Sequence, residues 1–413
     1  MDLVLFTAHY PYRGEAFLED EIRIAEHYFS EILIVTLEKN TDHAIYYIPR
    51  NARVVPARGN NSRLFGILRA LCRVVVSKKA VCEIGRAFKN RHEHGFYNAL
   101  KSIVIDERTM MLLKKAERNW IDHEEKTVYY SYWLNGTATY LARNKRKLGG
   151  LCIARAHGGD CFFDRAFHPY RVQQLSALDN VFPISESGKN DLLTHYGDAV
   201  PKLANTLIVS HLGITKPADQ MNPEGKSDSI TIVSCSNVIP LKRLDLLIDA
   251  LSLLKSEKIH WVHFGSGSEM ETIQKMAEKK LNSNIITEFR GFTPKGEILR
   301  YYAENHIDVF INCSDAEGIP VSVMEAMAYG IPVVARDVGG TSELVDNSCG
   351  ILLKGDVDGK AIAKAIESIL GLDKAAYHTM QLSAFEHFSK GFMAERNYKQ
   401  FFGEIIKRVN QRP

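Results

Sequence analysis

Short runs rich in Val, Ile and Leu recur along this chain, separated by segments of helical length, and that alternation constrains the fold more than anything else in the sequence. In the first half the runs read DLVLFTA (2–8), EILIVTL (31–37), TVYYSY (127–132), LCIARA (151–156), NVFPIS (180–185) and TLIVSHLG (206–213). They are nearly continuous in apolar residues, as expected of parallel strands covered on both faces. Residues 214–228 are polar and carry Pro and Gly, which reads as an interdomain linker. The pattern then restarts with SITIVSCS (229–236), IHWVHFG (259–265), IITEFRG (285–291), VFINCS (309–314), PVVARD (332–337) and GILLK (350–354). Strand and helix at this spacing predict α/β architecture in two doubly wound, Rossmann-like domains, 1–215 and 216–392. The final segment, 393–413, is helical in composition and is expected to return to the first domain.

At 413 residues with 45% hydrophobic side chains the chain can bury large cores. The formal net charge of +3 names no partner. No CxxC pair and no His cluster at zinc spacing accompany the seven cysteines, so free buried thiols in a reducing compartment are expected. The start, MDLVLFTAHY, lacks a basic region and reads as a first strand, not a signal peptide. No stretch reaches the roughly 18 apolar residues that span a bilayer. These features predict a cytoplasmic protein, either soluble or peripheral at the inner face of a membrane.

Residues 58–119 break the rhythm. They hold fourteen basic and five acidic side chains and no clear strand. Leu64, Phe65, Ile67, Leu68, Leu71 and Val75 fall between the charges at roughly helical spacing. A basic amphipathic helix of this kind suits an anionic membrane surface; an ordinary helix pair with a basic solvent face fits the pattern equally well. No nucleic-acid-binding motif is present.

The chemistry concentrates in DAEGIPVSVMEAMAYGIPVVARDVGGTSELV (315–345). A strand ends in a loop and a helix is predicted from near Val321. Such loops hold ligands in doubly wound sheets, and a helix start suits a diphosphate. Glu317 and Glu325, eight positions apart, are good acceptors for sugar and ribose hydroxyls, and helical spacing would turn both to one cleft. The whole stretch resembles the EX7E motif of retaining GT-B glycosyltransferases of family four. It matches at Glu317-Gly318-Ile319-Pro320, Glu325-Ala326-Met327-Ala328, Gly330, Pro332-Val333 and Gly339-Gly340-Thr341-Ser342-Glu343. That resemblance implies two Rossmann-like domains facing a central cleft. It implies Glu317 on the donor sugar, Glu325 on the ribose, and the backbone of Gly318, Ile319, Pro320 and Val321 on sugar and diphosphate.

The resemblance extends over most of the chain. SCSNVIPLKRLDLLIDAL (234–251) is similar to the family's diphosphate-gripping turn, which implies Lys242 as the phosphate cation. Asn237 stands where an Arg is expected, and Arg243 is the candidate to replace it. HFGSGSEMETI implies donor contacts at Gly265 and Gly267, and FRGF implies base contacts near Arg290. In the first domain the resemblance implies Gly14 facing the donor phosphates, His157 beside the transferred sugar and Asp160 on the acceptor side. Tyr130, Tyr132 and Trp133 suit either a sugar-stacking wall or aromatic core filling.

The expected reaction is retaining transfer from a nucleoside-diphosphate sugar to a hydroxyl of a glycan or lipid-linked acceptor. His157, Lys242 and Glu317 are the catalytic candidates, and neither metal nor other cofactor is expected. A non-catalytic relative that binds carbohydrate or membrane is the alternative. A dinucleotide-dependent oxidoreductase is disfavoured, because TAHYPYRG lacks the G-x-G-x-x-G turn.

Overall fold

The computed structural model describes residues 1–38, 44–58, 63–117, 126–216, 221–223, 229–255 and 258–412. Most of the expected linker, the side chains of Leu64 and Phe65, and Arg118 lie outside the described residues. The chain divides into two compact units, one of residues 1–211 with 398–413 and one of residues 212–397. Each is built on one six-stranded sheet.

The first unit carries β1 (Asp2–Thr7), β2 (Ile32–Thr36), β3 (Ala52–Pro56), β4 (Thr127–Ser131), β5 (Leu151–Ala156) and β6 (Asn180–Pro183), in the order β3-β2-β1-β4-β5-β6. Every pairing is parallel. The second unit repeats the design with β7 (Ile230–Cys235), β8 (Ile259–Phe264), β9 (Ile285–Phe289), β10 (Val309–Asn312), β11 (Val333–Arg336) and β12 (Gly350–Leu353), ordered β12-β11-β10-β7-β8-β9. In both sheets the strand order reverses direction once, between β1 and β4 and between β7 and β10. Those switch points are where the loops at the carboxyl ends splay apart and leave room for a ligand.

Two strand expectations need correction. β3 was not expected, because ARVVP offers only two adjacent valines; as an edge strand it is half-buried and needs no long apolar run. Conversely, 206–213 forms no strand. A short helix ends at Thr206 and Leu207 makes a single bridge to Val181. The Ile208 and Ser210 amides still donate to Val181 and Pro183, so the apolar run lies along the sheet edge without a ladder. The thiols also differ from expectation: Cys72 and Cys82 are exposed.

Residues 63–117 are all-helical, with helices Arg63–Val76, Lys78–Lys89, Arg91–His94 and Phe96–Ala116. The helix Arg63–Val76 has two apolar faces. Ala70 and Val74 are buried, whereas Leu68, Leu71 and Val75, at i, i+3 and i+7, are 59%, 45% and 73% exposed. Three of the segment's five acids, Asp106, Glu107 and Glu117, are buried. Its solvent face is therefore more basic than its composition.

A buried ion pair ties the first unit together. Arg155 on β5 is fully buried and meets Glu21 at 3.2 Å. Its Nε donates to Tyr130 Oη at 2.7 Å and Nη1 to the Ser210 carbonyl at 2.8 Å, and the guanidinium lies 4.4 Å from the Phe401 ring centre. Tyr130 in turn donates to Glu21 at 2.7 Å. Removing one partner strands the other charge, which costs about 3–5 kcal/mol. Arg155→Leu is therefore expected to lower the urea unfolding stability by that amount, and Arg155→Leu with Glu21→Leu to recover most of it. A single-variant loss below about 1 kcal/mol would show that the pair is not holding this unit.

Candidate active site

In the second unit the loops after β7 and β10 are stitched together at the switch point. The Asp315 amide donates to the Leu241 carbonyl at 2.9 Å. One residue past Leu241 and two past Asp315, Lys242 Nζ donates to Glu317 Oε1 at 2.7 Å, and Asn312 Nδ2 donates to the same oxygen at 3.2 Å. Both side chains of the pair are largely covered, 19% and 11% exposed. A third loop joins them, since the Gly340 amide donates to the Gly318 carbonyl at 2.7 Å. Behind Gly318 and Ile319 the helix Val321–Met327 starts with Pro320 at its N-cap and no side-chain cap. Its first amides are thus left to whatever else reaches them.

Glu317 and Glu325 are not brought together by helical periodicity, as the spacing suggested. Glu317 lies in the bend before the helix and only Glu325 lies on it. Glu325 is 7% exposed, and its charge helps push up the Cys235 thiol and the Tyr302 and Tyr329 phenols, after burial, the larger cause in each. This places Glu325 near the end of β7, where Cys235 sits.

Arg243 does not replace the expected arginine. It adopts a left-handed backbone (φ 50°), and its guanidinium is spent on two carboxylates. Nε and Nη2 donate to Asp245 at 3.0–3.2 Å and Nη1 to Asp315 at 3.1 Å. Arg336 also pairs with Asp315. The cluster is neutral overall and holds the loops rather than offering charge. Asn237, in the loop after β7, is exposed.

Gly265 and Gly267 are accounted for without a ligand. A Cβ on Gly265 would stand 1.8 Å from the Ser236 carbonyl oxygen, and one on Gly267 would stand 2.2 Å from that of Val238. The loops after β7 and β8 run backbone against backbone, which only glycine permits. Arg290 follows β9, donates to Glu288 at 2.8 Å and lies over the Tyr301 ring.

The loops of the first unit close around a carboxylate that sequence reasoning missed. Glu15 is 1% exposed and accepts the amides of His9 at 2.7 Å, Tyr10 at 2.6 Å and Ala8 at 3.3 Å, together with the Trp133 indole N–H. Gly14, at φ 70°, makes the turn that lets Glu15 fold back. An acid directly after a Gly, a few residues past a strand, was the available signal. His157 is 5% exposed, and its ring lies 4.4 Å from Trp133, 4.9 Å from Tyr132 and 5.5 Å from Phe17 between ring centres. Its Nε2 meets the Tyr132 carbonyl at 3.1 Å. A carbonyl only accepts, so Nε2 carries the proton.

The expected sugar wall is therefore mostly core. Tyr130 and Tyr132 are fully buried and present no free face, while Trp133 is half-buried. Asp160, expected on the acceptor side, is buried and instead accepts the Leu134 amide at 3.1 Å and the His157 amide at 3.3 Å. It fixes the loop that carries His157.

Among the described residues one group has metal-ligand chemistry, Asp346, Cys349 and His387, with donor atoms within 4.8 Å of one another. Burial pushes the Cys349 thiol up to about 11, and Ser348 already occupies Asp346 through its amide and hydroxyl. This group lies at the start of β12, apart from the loops after β7 and β10.

Two parallel six-stranded sheets, each with its polar loops gathered at a switch point, define the GT-B class. Residues 217–384 match the model of the family described as glycosyl transferases group 1. The amylovoran biosynthesis glycosyltransferase AmsK of Erwinia amylovora is 31% identical over 294 residues, covering 68% of this chain and 69% of that one. The O-antigen biosynthesis glycosyltransferase WbnH of Escherichia coli is 25% identical over 50% of this chain, and the match spans only 57% of the relative's length. The crystal structure of Anabaena HepE in complex with UDP-glucose aligns over 99% of this chain and 100% of its own, with a TM-score of 0.68 at 16% identity. This chain belongs to the glycosyl transferases group 1 family and has the GT-B fold.

Burial and the neighbouring Arg155 lower the His157 imidazole to about 3. It is neutral in the fold at any pH near neutrality. Between its ordinary pKa of 6.5 and about 3 the unfolded chain binds the extra proton, so stability from this group is present above 6.5 and lost as pH falls. His168, lowered to about 3, acts in the same direction, and Asp106, raised by burial to about 7, acts against both. His157→Gln keeps an N–H for the Tyr132 carbonyl and removes one titration. The variant is expected to lose less stability than the parent between pH 6.5 and 4 in denaturant titrations. Parallel pH profiles would contradict the assignment.

Proposed function

We propose that this chain transfers a glycosyl group, with retention, from a nucleoside-diphosphate sugar to a hydroxyl of a glycan or lipid-linked acceptor in cell-surface polysaccharide biosynthesis. The observation that carries the reading is the Lys242–Glu317 contact across the β7–β10 switch point. An ammonium has three N–H donors, and Glu317 takes one, leaving others for a diphosphate. The pair thus fixes a cation and a sugar-binding carboxylate at one place before any ligand arrives. Relatives named for O-antigen and amylovoran biosynthesis support the polysaccharide context, and a fold neighbour that binds UDP-glucose supports the donor class.

In this reading Glu317 accepts the donor sugar's hydroxyls, Glu325 the ribose hydroxyls, and the Gly318–Val321 backbone meets sugar and diphosphate. The diphosphate gains charge as the glycosidic bond breaks, and Lys242 with the amides at the head of Val321–Met327 stabilises it. Retention follows a front-face route in which the leaving phosphate takes the acceptor proton. Neutral His157 contributes orientation and a polar ring edge near the sugar, not a proton. No metal or other cofactor is required by this scheme.

Stabilisation by one of UDP, GDP or ADP in a thermal-shift panel, and not by NAD, is the expected result. Ligand at about 100 times its Kd adds roughly 2.7 kcal/mol. Glu325→Ala should remove most of that shift. Lys242→Ala should lower kcat by on the order of 10²–10³ with a smaller effect on the nucleotide shift. Equal loss of nucleotide binding in both variants would refute the division of roles, and silence toward every nucleotide would favour a non-catalytic relative.

The exposed stripe Leu68, Leu71 and Val75, set among Arg69, Arg73, Lys78 and Lys79, suits an anionic membrane at which a lipid-linked acceptor is presented. Leu71→Asp with Val75→Asp is expected to abolish co-sedimentation with phosphatidylglycerol vesicles. Unchanged sedimentation would leave the stripe without a membrane role.

A further inference from the structure

We propose that the first unit holds a second anion site, a basic cavity for a phosphoryl-bearing ligand, at the opposite end of its sheet from the His157 loop. The cavity has a volume of about 690 Å³ and is lined by Lys79, Arg143, Lys145, Arg146, Gln173 and Arg412 among others. Gly149, just before β5, and Ala177, shortly before β6, also line it, so it opens at the amino ends of those strands. His157 and Trp133 follow the carboxyl ends of β5 and β4. The cavity therefore stands apart from the transfer site and does not depend on that reading.

Among the described residues five cations line it and no acid does. Two carboxylates adjoin them. Asp179 pairs with Lys145 at 2.8 Å and with Arg412 at 3.6 Å. Glu107 meets Arg143 at 3.0 Å but is shared with Arg73 at 2.9 Å and with the Tyr170 hydroxyl at 2.7 Å. The positive charge is not cancelled.

Arg143 is also held in place. Its guanidinium lies 4.3 Å from the Tyr170 ring centre, and Nε donates to Gln173 Oε1 at 3.3 Å. Its Nη2 is buried with no hydrogen-bond partner among the described residues, and Nη1 of Arg412 is buried with only the Asp179 carboxylate near it, at 3.6 Å. Buried donors in native proteins nearly always have acceptors. A guanidinium nitrogen without an acceptor and a second with only a distant one, with three further cations alongside, match a group that carries several oxygens and more than one negative charge. A cavity of this size is in the range for a small organic ligand rather than a bare ion.

The ligand is thus an organic phosphate, either a phospholipid headgroup or a free phosphorylated metabolite. The first source gains weight from Val75 and Val76, 73% and 79% exposed, immediately before the helix that carries Lys79.

The test uses the full chain with sn-glycerol 3-phosphate in solution and, separately, with phosphatidylglycerol and phosphatidylcholine vesicles. The double variant Lys79→Glu/Arg146→Glu reverses two cations with no ion pair to a described residue. Lys275→Glu/Lys390→Glu makes the same charge change on exposed positions of the second unit. Calorimetric binding of glycerol 3-phosphate that weakens about tenfold or more in the first variant alone assigns the site to a soluble phosphate. No response to glycerol 3-phosphate, with phosphatidylglycerol-selective sedimentation lost in the first variant alone, assigns it to a lipid headgroup. The proposal is overturned if the parent binds neither probe, if the first variant binds like the parent, or if both variants lose binding equally.

Discussion

A parallel strand covered on both faces must reach its neighbour by a crossover, because a tight turn cannot return the chain in the same direction. Each crossover leaves the carboxyl end of one strand, so the loops that begin the crossovers gather at one edge of the sheet. In both units the strand order reverses once, between β1 and β4 and between β7 and β10. At those points adjacent loops leave toward opposite faces, and a gap opens between them. The Lys242–Glu317 contact and the Glu15 cradle both stand at such gaps. Their placement follows from topology before any side chain is chosen.

Side chains then decide how rigid each gap is. Around β7 and β10 the loops are fastened by charge: Arg243 to Asp245 and Asp315, Arg336 to Asp315, Lys242 to Glu317. Lys242 has donors to spare by its chemistry, since an ammonium contacting one carboxylate oxygen keeps two protons free of it. Arg243 is a fork already filled, each of its three nitrogens donating to Asp245 or Asp315. That distinction separates a cation that can receive a phosphate from one that holds the receiver in shape. Around β1 and β4 the fastening is an acceptor instead, Glu15 drawing three amides and an indole to one carboxylate.

The fold was legible because buried parallel strands write themselves as apolar runs, and those runs recur at crossover spacing. What escaped was at the edges. β3 is half-buried and needs no such run, and 206–213 has the run but only a bridge to the sheet. Within the site, the stretches 234–251 and 315–345 marked the loops after β7 and β10, where Lys242 meets Glu317, because each begins where an apolar run ends. The roles of Arg243, Asp160, Gly265 and Gly267 were not legible, because each depends on what the next loop places opposite. Asp315 and Asp245 absorb Arg243, the Leu134 and His157 amides absorb Asp160, and two carbonyls exclude side chains at the glycines. Such partners are distant in sequence or set by backbone path, and no spacing rule reports them.

The helical segment shows the same limit for charge. Composition counts Asp106, Glu107 and Glu117 as acids that offset the basic surface, but burial removes them from it. Glu107 is consumed by Arg73, Arg143 and Tyr170, and Glu117 by Lys147. A buried carboxylate needs such partners, and two of them, Arg143 and Lys147, come from the helix Gly136–Leu148 outside the segment, so most of the segment's own cations stay at its surface. The cations that remain outside, Lys78, Lys79, Lys89 and Arg91 among them, are exposed, as are Leu71, Val75 and Val76. The basic, partly apolar surface of the first unit is in this sense a consequence of how its interior is neutralised.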